Sequence, residues 1–94
     1  VRYAILRVKE PLILEGRACN AVVEYNTAQI KMLEDGNIGE GNAAKLLMHE
    51  IVHALLFERG MTEAAADEEL VSELAAGFVN LVRANPQLIT FLQK

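Results

Sequence analysis

The chain has 94 residues, 52% of them apolar, with nine basic and 13 acidic side chains and a net charge of −4. That describes one domain, residues 1–94, with a modest core, too apolar for intrinsic disorder. The scattered basic residues form no patch or stripe, so no nucleic-acid partner is expected, and no run approaches the roughly 18 apolar residues of a membrane span.

One cysteine, Cys19, excludes an intrachain disulfide and fits a reducing, cytoplasmic setting. Cys19 itself reads as a small, half-buried side chain. The chain opens Val1-Arg2-Tyr3, neither a signal peptide nor an initiator Met, which leaves room for a missing N-terminal element.

The first third has strand character. Tyr3–Lys9 is rich in β-formers and meets Pro11, and Leu12-Ile13-Leu14 reads as a further strand or an extension. Ala21–Tyr25 and Gln29–Leu33 flank an Asn26-Thr27 turn and read as a β-hairpin with one wet and one packed face. Glu34–Asn42 carries three glycines and reads as a connector; no Gly-Lys-Ser/Thr follows, so it is not a phosphate loop.

Asn42 is the expected N-cap of a helix from Ala43 to Arg59, stopped by Gly60. Its apolar stripe is Leu47, Ile51 and Leu55, widened by Ala44, Met48 and Val52. A second helix starts either near Glu63, capped by Thr62, or later, near Asp67. Its apolar positions centre near Val71 and Phe78, and it ends at Asn85-Pro86, since the residue before proline disfavours the helical region. Leu88–Leu92 reads as a short last helix. It either folds back on the core, the favoured arrangement, or leaves Leu88, Ile89, Phe91 and Leu92 as an apolar anchor for a partner.

Both histidines of the chain fall in the first helix, in His49-Glu50-Ile51-Val52-His53. A spacing of four places His49 and His53 on one face, a turn apart, where two imidazoles reach one Zn²⁺. Glu50 projects about 100° round the helix. It is poorly placed as a ligand but well placed to take a proton from water during attack on a carbonyl and return it to a leaving amine. By composition a chance match in so short a chain is on the order of one in several hundred.

A catalytic zinc has three protein ligands and an open position, and no third histidine exists, so the third ligand is an acid. The second helix offers Asp67, Glu68, Glu69 and Glu73. Glu68 sits at the edge of the apolar stripe beside Val71 and Ala75 and ranks first, Glu73 on the opposite flank second, and Glu69, pointing away, third. Acids in a first turn also suit the helix dipole without any metal. Tyr25 or Tyr3 is a candidate oxyanion donor, although a strand tyrosine more often packs.

In these residues the chain resembles the zincin metallopeptidases, and among them the ImmA/IrrE-type family of bacteria and phages. The resemblance covers about three quarters of the chain: the hairpin Ala21–Leu33, the helix with His49–His53, and the Glu-rich helix after it. The family's second helix often reads Glu-x-Glu-Ala-Asn-x-Phe-Ala. Here Glu68 takes the first position, Val71 stands for Ala, Ser72 replaces Asn, Leu74 stands for Phe, and Ala75 matches.

The resemblance implies an α+β fold, with a small antiparallel sheet packed on the metal-bearing helix and an antiparallel helix after it. It also implies Zn²⁺ as cofactor, a peptide or protein substrate, and an edge strand that aligns it by β-augmentation. The expected activity is hydrolysis of an intracellular protein by a gluzincin-like site: His49, His53 and Glu68 on zinc, Glu50 as general base. The alternative is an inactive zinc-binding regulatory module of the same fold.

Overall fold

The computed structural model describes residues 2–34 and 40–94, with the side chains of residues 42 onward in the second stretch. The strands are β1 (Ala4–Val8), β2 (Leu12–Leu14), β3 (Arg17–Cys19), β4 (Ala21–Glu24) and β5 (Gln29–Leu33). The helices are α1 (Glu40–Glu58), α2 (Thr62–Ala65), α3 (Glu68–Ala84) and α4 (Leu88–Leu92). The fold is α+β, as expected. Most of the Glu34–Asn42 connector lies outside the described residues.

The hairpin forms as its pattern predicts. β4 pairs antiparallel with β5, Ala21 opposite Met32 and Glu24 opposite Gln29. The four-residue loop between them holds Ala28 at φ 52, a left-handed conformation that a non-glycine residue adopts at a cost. On β5 the side chains alternate, and Ile30 and Met32, 1% and 4% exposed, form the packed face.

β1 joins the other edge of β5 in parallel, with Ile5 opposite Ile30, so the three-stranded sheet is mixed, in the order β1-β5-β4. β4 itself runs back between them, and two thirds of the chain joining β1 to β4 is a second hairpin that the sequence pattern did not announce. β2 and β3 pair around Glu15-Gly16, both at positive φ, the condition for a tight primed turn.

α1 starts at Glu40, so Asn42 lies inside its first turn and does not cap it. The helix ends as predicted: Gly60, at φ 77, donates to the Phe57 carbonyl, and Met61 donates to Leu56. This pair of bonds is the Schellman closure, which satisfies two carbonyls the helix end would leave open.

α1 is covered on two faces. Ala43, Leu46, Leu47 and Ile51 pack against the sheet residues Ala21, Ile30 and Met32. Val52 and Leu56 pack against Ala65, Val71 and Ala75 on the helical side. The layers are therefore sheet, α1, α3. This corrects the single stripe expected for α1: Leu55 is 49% exposed, while Val52, Ala54 and Leu56 are buried.

The second helical segment breaks in two, and the later start is the right one. α2 is a single turn, and α3 begins after Asp67, whose carboxylate accepts from the Leu70 N–H at 3.1 Å. The buried face of α3 is Val71, Ala75 and Val79, not one centred on Phe78, which is 40% exposed. α3 is apolar round half its circumference, and α1 covers only the part with the smaller side chains, which admit a close approach.

α4 forms, yet it buries no residue, and Phe91 and Leu92 are 70% and 68% exposed. The favoured fold-back onto the core is thus overturned. Among the described residues no helix is long and apolar enough to cross a membrane.

Candidate metal centre

α1 and α3 bring three of the expected residues to one point. Glu68, at the N-terminus of α3, spans both imidazoles. Its Oε2 lies 2.9 Å from His49 Nε2 and its Oε1 lies 3.1 Å from His53 Nε2. The two Nε2 atoms are 3.1 Å apart. These three side chains can hold a metal ion. Glu69 and Glu73, the other candidates for third ligand, are exposed and do not join the group. The wheel position of Glu68, in line with Val71 and Ala75, accounts for this, because α1 lies over that face.

The far side of each ring is held as well. His53 Nδ1 meets the carbonyl oxygen of Ala65, at the end of α2. A carbonyl only accepts, so Nδ1 carries a proton, and in the neutral form of the ring Nε2 presents a lone pair. That lone pair faces His49 Nε2 and a carboxylate oxygen. Electron-rich atoms converge this closely only around a cation, either a proton or a metal ion. His49 Nδ1 lies 3.3 Å from Ser72 Oγ, a hydroxyl that donates or accepts as required.

The spacing fits an ion. A tetrahedral ion with bonds of about 2.0–2.1 Å holds its ligand atoms roughly 3.3 Å apart. The two Nε2 atoms, 3.1 Å apart, are close to that spacing, and Glu68, whose side chain is 70% exposed, faces each ring with a different oxygen. Ring nitrogens tied from behind are also the usual means of orienting metal-binding histidines.

Glu50 lies on the neighbouring face of α1, 7% exposed, and lines a cleft of about 440 Å³ together with His49 and Ser72. Burial pushes its carboxyl up to about 7; the charge of His53 pulls it down and that of Glu68 raises it further. A carboxyl poised there exchanges a proton readily near neutral pH. A slightly larger cleft of about 450 Å³, around Tyr3, Leu55 and Arg59, shares no residue with this one and holds none of the three ligand candidates.

Neither tyrosine lines the histidine cleft. Tyr3 donates to Glu58 at 2.7 Å, and its hydroxyl is pushed up to about 12 by burial and by that carboxylate. Tyr25 stacks on Phe57 with ring centroids 4.0 Å apart. Tyr3 lies just before β1 and Tyr25 just after β4, so neither is a strand residue, and each is engaged away from the cleft. Burial raises the Tyr25 hydroxyl, and the charges of Glu50 and Glu68 add to the rise.

Sequence reasoning missed the residues behind the rings. Ser72 carried a usable signal, since it is polar and one turn after Glu68 on the same face. The Ala65 carbonyl carried none, because any residue supplies one. Cys19 is half-buried, as expected, but it also lines the histidine cleft. Set against known proteins, the chain matches no family model, no curated protein and no solved structure.

Proposed function

We propose that this chain is a zinc-dependent metallopeptidase-type domain of the zincin kind, similar to the ImmA/IrrE-type family, that hydrolyses peptide bonds of a protein. The single observation behind it is the meeting of His49 Nε2, His53 Nε2 and the Glu68 carboxylate, with Glu50 buried in the adjoining cleft. Two imidazoles and one carboxylate are a donor set suited to zinc, and three protein ligands are the number typical of catalytic sites. A divalent ion there supplies a Lewis acid and lets water act as a nucleophile near neutral pH.

The chain's own residues do the rest. His53 is fixed by Ala65 and His49 by Ser72, so both rings hold their orientation through a turnover. Glu50 accepts a proton from the attacking water and returns it to the leaving amine. Its burial matters because a carboxylate held out of water is a better base than a solvated one. The cleft is open to the surface, where it can seat a peptide.

A second reading has an observation of its own. Exposed Phe91 and Leu92 on α4 suit a protein-interaction module that keeps the metal without turnover.

Metal content per chain decides the first step, measured by elemental analysis on protein purified without chelator or nickel. About one zinc per chain is expected, lost in His49→Ala and His53→Ala and weakened in Glu68→Ala. No zinc in the wild type after reconstitution with excess Zn²⁺ would sink the proposal. Zinc without hydrolysis of any peptide in a broad library would favour the interaction module.

A further inference from the structure

We infer that the cleft beside the histidines is a carboxylate-recognising subsite, in which Lys45, Asn20 and Asn42 hold an anionic group of a peptide. The inference rests on the metallopeptidase reading for its purpose, though not for its chemistry.

Lys45 and His49 are four apart on α1, so they share a face one turn from each other. Both line the same cleft, and among the described residues Lys45 is the one lysine or arginine in its lining. Among the described residues no carboxylate pairs with Lys45. Lys31 differs, since Glu24 holds it at 3.1 Å. The helix dipole does not explain a lysine here either. Cations stabilise a last turn, and the last turn of α1 carries none.

Two amides stand beside the lysine. Asn20 gives its backbone carbonyl to the Leu33 N–H, which fixes its place between β3 and β4. Among the described residues no hydrogen bond engages the side chain of Asn20 or Asn42, and both are exposed on the cleft. One lysine and two asparagines thus line the same cleft, beside the small side chains of Ala75 and Ala76. Among the described residues the one acidic group in the lining is Glu50, which is buried, while Lys45 and both asparagines are exposed.

An ammonium flanked by amide donors suits a carboxylate, since each donor is charge-assisted or neutral and none is an acid. The carboxylate has two sources, an Asp or Glu side chain or the C-terminus of the chain being cut. Lys45 is then a specificity-determining residue that favours anionic peptides and disfavours cationic ones.

Nuclear magnetic resonance titration of the full chain, metal-free and zinc-loaded, tests this with four short peptides. Three are blocked at both ends and differ only in a central Glu, Gln or Lys; the fourth carries Gln and a free C-terminal carboxylate. The Glu peptide, or the one with the free C-terminus, is expected to bind about tenfold tighter than blocked Gln, with shifts at Asn20, Lys45 and Ser72. Which of the two is preferred identifies the source. Lys45→Met should abolish the preference and Lys45→Glu should turn it towards the Lys peptide. Equal affinity for all four, no binding at millimolar peptide, or a preference that survives Lys45→Met overturns the inference. Failure of the zinc reading looks different: no zinc is taken up, yet the preference remains in the metal-free protein.

Discussion

Among the described residues, Glu50 is a carboxyl whose state the fold alters strongly. A carboxyl with an ordinary value of 4.5 is raised to about 7, with burial the largest cause. The folded metal-free protein therefore binds this proton more tightly than the unfolded chain does. The associated stability is fully present below about 4.5 and is lost as pH rises through about 7. Integrated over that window, the loss is roughly 3 kcal/mol as an upper figure. Urea unfolding of the metal-free chain at pH 5 and pH 8 should show the decline, and Glu50→Gln should flatten it. The same variant should keep zinc and lose hydrolysis; full turnover in Glu50→Gln would remove the proposed base.

At the scale of elements, the candidate ligands depend on how helices start and stop. His49 and His53 come from the interior of α1, but Glu68 is the first residue of α3 and the partner of His53 is the end of α2. The short path from Gly60 to Asp67 therefore sets the site. Gly60 at φ 77 has open space where a Cβ would stand, so Gly60→Ala is strained by its backbone alone, by about 1 kcal/mol. Asp67→Ala removes the cap bond to Leu70 and should cost about 1 kcal/mol. Both should lower the denaturation midpoint. Asp67→Ala should also weaken zinc binding several-fold, since it frees the turn that presents Glu68. Zinc affinity unchanged in that variant would mean the α3 packing alone holds the ligand.

At the scale of the molecule, α1 is a shared wall. The sheet packs on one side and α3 on the other, so the second core, around Val52 and Val71, is what docks Glu68 against the histidines. Val71 is 0% exposed. Val71→Ala should cost about 2 kcal/mol, a large part of the stability of a chain this size, and should weaken zinc uptake. Zinc at a hundred times its dissociation constant should return about 2.7 kcal/mol to the wild type and nothing to His53→Ala. Differential scanning calorimetry with and without zinc measures both.

The sequence alone sufficed for whatever depends on near neighbours in the chain. The β4–β5 hairpin follows from alternation, the stop of α1 from Gly60, and the shared face of His49 and His53 from a spacing of four. Even Glu68 was legible, because its angle on α3 relative to Val71 and Ala75 is a local quantity. Tertiary structure alone decided what depends on which faces meet. It made β1 parallel to β5, buried α1 on two sides, turned Phe78 outward, left α4 uncovered, and set Ser72 and the Ala65 carbonyl behind the rings. Helical and strand periodicity give the direction of a side chain from its own axis, whereas burial and partnership depend on a second axis whose position no single segment encodes.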